Sequence, residues 1–344
     1  MTSEALLRVH DLSVRFAGSS SPAVEHASLT LHAERTIAVV GESGSGKTVT
    51  ALAAMGLLPR DASCGGEITL RRRSGERTDL LRCDERTLRA IRGAEIAMIF
   101  QEPMTSLNPV MTIGEQLEES LLLHRPAMGR HARREACERA LADVGIGSPG
   151  ERLRQFPHEF SGGMRQRVMI AMALACEPSV LIADEPTTAL DAHVRGQILD
   201  LIDSIRVSRR LGVLLITHDL GVVRRRADAA CVMFRGRVVE YGPTMRVLES
   251  PLHPYTAALL ACSPGPWTRG MRLTTIPSHP VATFAGATPA ACEGRRPWWP
   301  GTGAGSLVRV EADRWVCVQG PAEASEAPDV DVQGASRGEP RCAC

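Results

Sequence analysis

Lysine is almost missing from this chain. Of its 40 basic residues a single one, Lys47, is lysine, and all the others are arginine. A compact ammonium on a flexible stem fits into a tight phosphate loop that a broad planar guanidinium does not enter, so the bias toward arginine stopped where the two cannot be exchanged. Excess charge is missing as well: 40 basic residues face 39 acidic ones, which excludes a global field that would draw the protein onto nucleic acid or an anionic membrane. Partners must therefore be recognised locally, and nucleic acid is not expected among them. No apolar run approaches the roughly 18 to 20 residues that span a bilayer, the longest being Val168 to Cys176 and the short stretches around Ile37 and Leu214. Any membrane role must be borrowed from partners. The start, Met1 to Phe16, alternates apolar with charged residues and lacks the cationic-then-apolar order of a secretory signal, so the chain is expected to stay in the cytosol. There is no internal repeat. The 10 cysteines are mostly scattered singly, as at Cys64, Cys137, Cys176 and Cys231, which suits a reducing compartment better than a disulfide framework.

What is present points to an α/β core. The 344 residues, 44% of them hydrophobic, suffice for one large domain with an appendage. Apolar runs bounded by turn signals alternate with segments of helical period, the pattern of a mainly parallel sheet covered by helices. Buried strands are predicted at Thr36 to Val40, Ile96 to Phe100, Val180 to Ala183 and Val213 to Thr217; ligands of such sheets gather at the carboxyl ends of the strands. Val194 to Arg209 reads as an amphipathic helix with Ile198, Leu201, Ile202 and Ile205 on its buried face. Between Gln101 and Ser161 helix formers take over, notably Gly114 to His124 and His131 to Val144, which predicts an inserted helical subdomain. Ala229 to Tyr241 reads as a hairpin turning near Arg235 and Gly236. From about Ser263 onward Pro, Gly, Ala and Thr dominate, and from Pro321 the chain is acidic, rich in small residues and expected to be disordered.

The strand Thr36 to Val40 runs into Gly41-Glu42-Ser43-Gly44-Ser45-Gly46-Lys47-Thr48, and a helix from Thr48 to Leu58 follows. In this GxxxxGKT pattern the glycines let backbone N–H groups wrap phosphates at a helix N-terminus. Lys47 reaches the β- and γ-phosphates, and the Thr48 hydroxyl holds Mg²⁺. Val180 to Ala183 ends in Asp184 and Glu185, two carboxylates delivered to the ligand edge of the sheet. Asp184 is assigned to Mg²⁺, through its water shell, and Glu185 to polarising the attacking water. These parts alone describe an ATP- or GTP-hydrolysing site; kinases, GTPases and motor proteins share them.

Phe160-Ser161-Gly162-Gly163-Met164, just before a helix and upstream of the Asp184 strand, makes the reading specific, because it resembles the LSGGQ signature of the ABC ATPases. Ser161, Gly162 and Gly163 at a helix N-terminus make a second anion site, and the resemblance implies that it closes over ATP held by a second subunit. It implies further that Gln101 is the Q-loop glutamine sensing Mg²⁺ and the attacking water, that His218 contacts the γ-phosphate, and that Ala189-Leu190-Asp191 communicates across the dimer. Phe16 is either the aromatic stacking on adenine or a core residue. The implied fold is a P-loop NTPase (RecA-like) ABC ATPase core over residues 1–245, with an inserted helical subdomain at about 101–161. An irregular C-terminal extension over 246–320 and a tail over 321–344 complete the division.

Glu102 to Pro109, Met164 to Ala175 and Pro251-Leu252-His253-Pro254-Tyr255-Thr256 resemble the oligopeptide and dipeptide importer ATPases over roughly residues 5 to 265. Pro254 can also simply begin a helix. The resemblance implies an ATPase peripheral to the cytoplasmic face of the cell membrane, working with two integral permeases, a second ATPase subunit and, indirectly, an extracytoplasmic solute-binding protein. Its cargo is expected to be peptides, with nickel or another small solute as the alternative, and a soluble non-transport ABC ATPase as a further one. In such relatives four cysteines of the extension hold an iron–sulfur cluster. Here Cys292 and Cys317 stand where two of them could fall, but Arg295 to Leu307 supplies none between and Cys342 and Cys344 lie in the tail, so no cluster is expected.

Overall fold

A computed structural model describes residues 4–100, 106–188, 190–263, 276, 283–285, 288–293, 295–300, 302 and 304–320. Two sheets organise them. The smaller is antiparallel, with strand order β2-β1-β4-β5, formed by β1 (Ala5–Arg15), β2 (Val24–His32), β4 (Ser63–Arg71) and β5 (Arg77–Asp79). Its first strand shows why alternation alone did not reveal it. Leu7 and Val9 are buried, and so are Leu12 and Val14, so the buried set changes parity midway. The register shift between Val9 and Leu12, with Asp11 at φ +52°, is a bulge that re-phases the strand and keeps one face toward the core.

The larger sheet has the order β11-β12-β10-β9-β3-β8-β7-β6. Its parallel part comprises β3 (Thr36–Val40), β6 (Ile96–Ile99), β7 (Val180–Asp184), β8 (Gly212–Ile216) and β9 (Ala229–Phe234). All residues of these five strands are buried, as expected of parallel strands covered on both faces. The four strands read from sequence are all here, and β10 (Arg237–Pro243) turns back from β9 at Arg235 and Gly236. No periodicity announces β11 (Gly305–Glu311) and β12 (Arg314–Gln319), an antiparallel hairpin that joins the sheet by pairing β12 with β10 through Glu240–Val316 and Tyr241–Trp315. Over these residues the extension is regular, where an irregular segment was expected.

Helices α1 (Lys47–Ala54) and α2 (Glu85–Ile91) precede a helical layer made of α3 (Ile113–His124), α4 (Arg130–Asp143), the single turn α5 (Pro149–Arg152) and α6 (Gly162–Leu174). Thr112 and Glu115 start α3 with a reciprocal capping box. Leu117, Leu121, Leu141 and Val144 of this layer share one core with Val168 and Ile170 of α6 and with Leu181 and Ala183 of β7. Helix α7 (Ala192–Ser208), capped by the Asp191 carboxylate, buries Ile198, Leu199, Ile202 and Ile205, with Leu201 only half-buried. Three short helices, α8 (Leu220–Arg226), α9 (Thr244–Glu249) and α10 (Pro254–Cys262), complete the fold. Pro254 opens α10, and the His253 side chain accepts from Tyr255 N–H as its N-cap.

Candidate nucleotide site

The carboxyl ends of β3, β7 and β8 meet in a cleft of about 400 Å³ lined by residues 41–44 and 46–49, Glu185 and His218, with Ala23 and Leu259 closing its sides. Two glycines make the loop possible. At Gly41 (φ +148°) a Cβ would sit 2.1 Å from the Met233 carbonyl oxygen, and at Gly46 (φ +102°) 2.7 Å from that of Ala23. Neither position admits a side chain. Gly46 is also the N-cap of α1, so the helix presents its free N–H groups to the cleft.

Lys47 is buried and folded back on the loop, its Nζ donating to the carbonyls of Gly41 (2.8 Å) and Glu42 (2.7 Å). Burial lowers its pKa, against the raising effect of Glu185, Asp184 and Glu42. Thr48, next in sequence, is exposed and hydrogen-bonded through its side chain to the Asp184 carboxylate. Asp184 is 2% exposed and its Oδ1 has no hydrogen-bond partner. Burial raises the pKa of Asp184 and neighbouring Glu185 adds to this, while Thr48 and Lys47 act the other way. A buried carboxylate oxygen without a partner, beside a hydroxyl, is a donor set suited to a small hard cation. Thr48 and Asp184 thus fit Mg²⁺.

Glu185 follows at the mouth of the cleft with φ +46°, a left-handed conformation that costs a non-glycine residue about 1 to 2 kcal/mol. Its N–H bonds the Ile216 carbonyl at 2.9 Å, which ties β7 to the end of β8. Both carboxylate oxygens are engaged: Oε1 with His218 Nδ1 at 3.0 Å, Oε2 with the Thr188 hydroxyl at 2.8 Å. Since a carboxylate only accepts, Nδ1 carries the proton. Burial would raise the carboxyl pKa of Glu185, but the bonds from His218 and Thr188 outweigh it and the net shift is downward.

The structure therefore brings Gly41 to Thr48, Asp184, Glu185 and His218 together. Ser161, Gly162 and Gly163 stand apart at the start of α6, where Ser161 Oγ caps Met164 N–H at 3.4 Å; Ser161 and Gly162 are exposed and do not line this cleft. Phe16, half-buried just after β1, does not line it either. Gln101 and Ala189 lie outside the described residues. Sequence reasoning missed Thr188, Ala23 and Leu259, none of which carries a motif of its own.

Residues 24–188 match the family model for the ABC transporter, and residues 239–292 that for the oligopeptide/dipeptide transporter C-terminal region. The dipeptide transport ATP-binding protein DppD of Bacillus subtilis (strain 168) is 47% identical over 284 residues, 82% of this chain and 84% of that one. The chain belongs to the ABC transporter ATP-binding family. The glutathione import ATP-binding protein GsiA of Salmonella typhimurium is 49% identical over 269 residues, 77% of this chain but only 43% of GsiA. In shape, the ABC ATPase resembles the dimeric ATP-binding cassette MJ0796 solved in a post-hydrolysis state with ADP and Pi (TM-score 0.60, 25% identity, 70% of this chain and 99% of that one).

An iron–sulfur cluster does not fit the thiols described in this ABC ATPase. Cys292 packs with Val316 and Val318, while Cys317, between them in β12, packs with Trp298 and Trp299. Alternate residues of a strand face opposite sides, so the two thiols do not converge. Cys317 is wholly buried, and burial pushes its thiol up to about 12. Cys342 and Cys344 lie outside the described residues.

Proposed function

We propose that this ABC ATPase is one of two motor subunits of an importer for di- or oligopeptides, seated on the cytoplasmic face of the membrane against two permeases. An extracytoplasmic solute-binding protein chooses the cargo. The observation that carries this reading is the cleft lined together by Lys47, Thr48, Glu185 and His218, with the buried Asp184 carboxylate bonded to Thr48 beside it. The match of residues 239–292 to the oligopeptide/dipeptide transporter C-terminal region supports the choice of cargo. Among the described residues no helix is long and apolar enough to cross a membrane, so the reading assigns translocation to partner permeases.

In this mechanism ATP lies against the start of α1, its phosphates taken by the N–H groups of the loop. Lys47 keeps its bond to the Gly41 carbonyl and leaves the Glu42 carbonyl for the β- and γ-phosphate oxygens, exchanging a neutral acceptor for charged ones. Thr48 and Asp184 would hold Mg²⁺, which when bound screens the phosphate charge; Gln101 is assigned to the same ion and to the attacking water. Glu185 orients that water, which requires it to release an oxygen now held by His218 or Thr188. His218 then turns to the γ-phosphate. Ser161, Gly162 and Gly163 serve the ATP of a second cassette, and their exposure away from this chain's cleft accords with that assignment. We read residues 1–245 as the nucleotide-binding domain, with 246–320 as an extension folded onto it.

Gentle solubilisation of native membranes and identification of what co-purifies tests the proposal. Two multi-span permeases with a second ATPase are expected; recovery of the chain without membrane partners overturns the importer reading.

A further inference from the structure

The nucleotide cleft has a wall that belongs to none of the nucleotide motifs. Leu259 of α10 lines it, and Tyr255, four residues earlier on the same helix face, stands behind the loop. Tyr255 is fully buried, and its hydroxyl accepts a hydrogen bond from the Glu42 N–H at 3.1 Å. That N–H and the Gly41 carbonyl are the two ends of one peptide group. The carbonyl end accepts from Lys47 Nζ at 2.8 Å. One peptide unit therefore joins the phenol to the ammonium, and each bond polarises the unit in the sense that strengthens the other. The unit follows Gly41, whose φ of +148° and close approach to Met233 exclude a side chain that could otherwise steady it.

Tyr255 is itself firmly held. Its ring stacks on Phe234 at the end of β9, with centroids 4.0 Å apart and planes 19° from parallel, and Phe234 packs on Trp299 of the extension at 5.3 Å. The Tyr255 N–H donates to His253 Nδ1 at 3.1 Å, and the other ring nitrogen of His253 donates to the Trp298 carbonyl at 2.8 Å. The His253 N–H is accepted by the buried carboxylate of Glu240, which pairs with Arg314 of β12 at 2.7 Å. Contacts thus run without a gap from the C-terminal hairpin to the phosphate loop.

We propose that Tyr255 is a positioning residue for ATP binding: through the Gly41–Glu42 peptide it sets the place of Lys47, and so makes nucleotide affinity depend on the C-terminal extension. The inference rests on the reading of Lys47 as the phosphate-binding lysine.

The test uses the full chain with Tyr255→Phe, which keeps the stacked ring and removes only the acceptor. The KM for ATP rises about tenfold, equivalent to about 1.4 kcal/mol, while kcat changes less than about twofold. Amide hydrogen exchange of residues 42–46 quickens in the nucleotide-free protein, and that of β8 stays as it was. An unchanged KM, or a fall in kcat and thermal midpoint with KM intact, overturns the proposal. If that variant does not fold, Phe234→Leu, which keeps the hydroxyl but removes its stacking partner, raises KM by a smaller factor, and no change there overturns the proposal equally. Lys47→Ala run in parallel separates the two readings: unaltered nucleotide affinity there refutes the role of Lys47, whereas a loss there with Tyr255→Phe unaltered refutes the positioning role alone.

Discussion

His218 Nδ1 lies 3.0 Å from Glu185 Oε1, and the Thr188 hydroxyl occupies the other carboxylate oxygen of Glu185 at 2.8 Å. The group assigned to the attacking water is thus held on both sides. Its left-handed backbone and its bond to Ile216 keep it at the cleft mouth whatever those two bonds do.

Glu185→Gln removes the charge that orients water but leaves the phosphate loop intact. We expect turnover to fall by roughly a hundredfold or more, with ATP affinity preserved and a closed, ATP-loaded dimer accumulating. Steady-state hydrolysis and gel filtration with ATP check this, and normal turnover would refute the assignment.

Lys47→Ala abolishes nucleotide affinity, and Lys47→Arg does not restore it. The ammonium fits between two carbonyl oxygens at 2.7 and 2.8 Å, a space that a planar guanidinium does not enter in the same geometry. Titration with a fluorescent nucleotide measures both; arginine binding as well as lysine would remove the explanation for the one lysine of this chain.

Stability should carry an acid-side slope from His253. Burial pushes its pKa down to about 4 from the ordinary 6.5, although the bond to the Trp298 carbonyl favours protonation. The neutral ring is the folded form, so the unfolded chain binds the extra proton between these values. The stabilisation is complete above pH 6.5 and is lost as pH falls toward 4, by up to about 3 kcal/mol. Urea denaturation across this range should show a shallower acid-side decline in His253→Gln than in the parent; parallel declines would count against a buried neutral imidazole.

Glu240 and Arg314 form a buried pair, 0% and 3% exposed at their side chains. Arg314→Ala strands the carboxylate and should cost about 3 to 5 kcal/mol. Glu240→Leu should cost at least as much, because the N–H groups of Leu252 and His253 also lose their acceptor. Chemical denaturation of the two variants decides whether this pair ties the hairpin to the sheet.

Much of the site was legible in the sequence because its parts are local. The loop 41–48 needs glycines where the backbone crowds Met233 and Ala23, and β7 needs five buried residues ending in an acid. Both requirements fall within a few consecutive positions. The small antiparallel sheet was harder to read because the bulge at Asp11 breaks the two-residue period of β1. The hairpin β11–β12 follows a stretch rich in Pro and Gly, and its place depends on pairing with β10, some 75 residues away, Glu240 with Val316.

The sequence by itself determined the chemistry: one lysine, one hydroxyl and two carboxylates at strand ends, in an order that admits an ATP-hydrolysing site. Only the tertiary structure decided what holds those groups in place. That Thr188 and His218 share Glu185, that Cys292 and Cys317 face away from each other, and that Tyr255 grips the peptide bonded to Lys47 all depend on contacts between distant segments. Residue order fixes a motif, whereas the direction of a side chain is set by the packing around it.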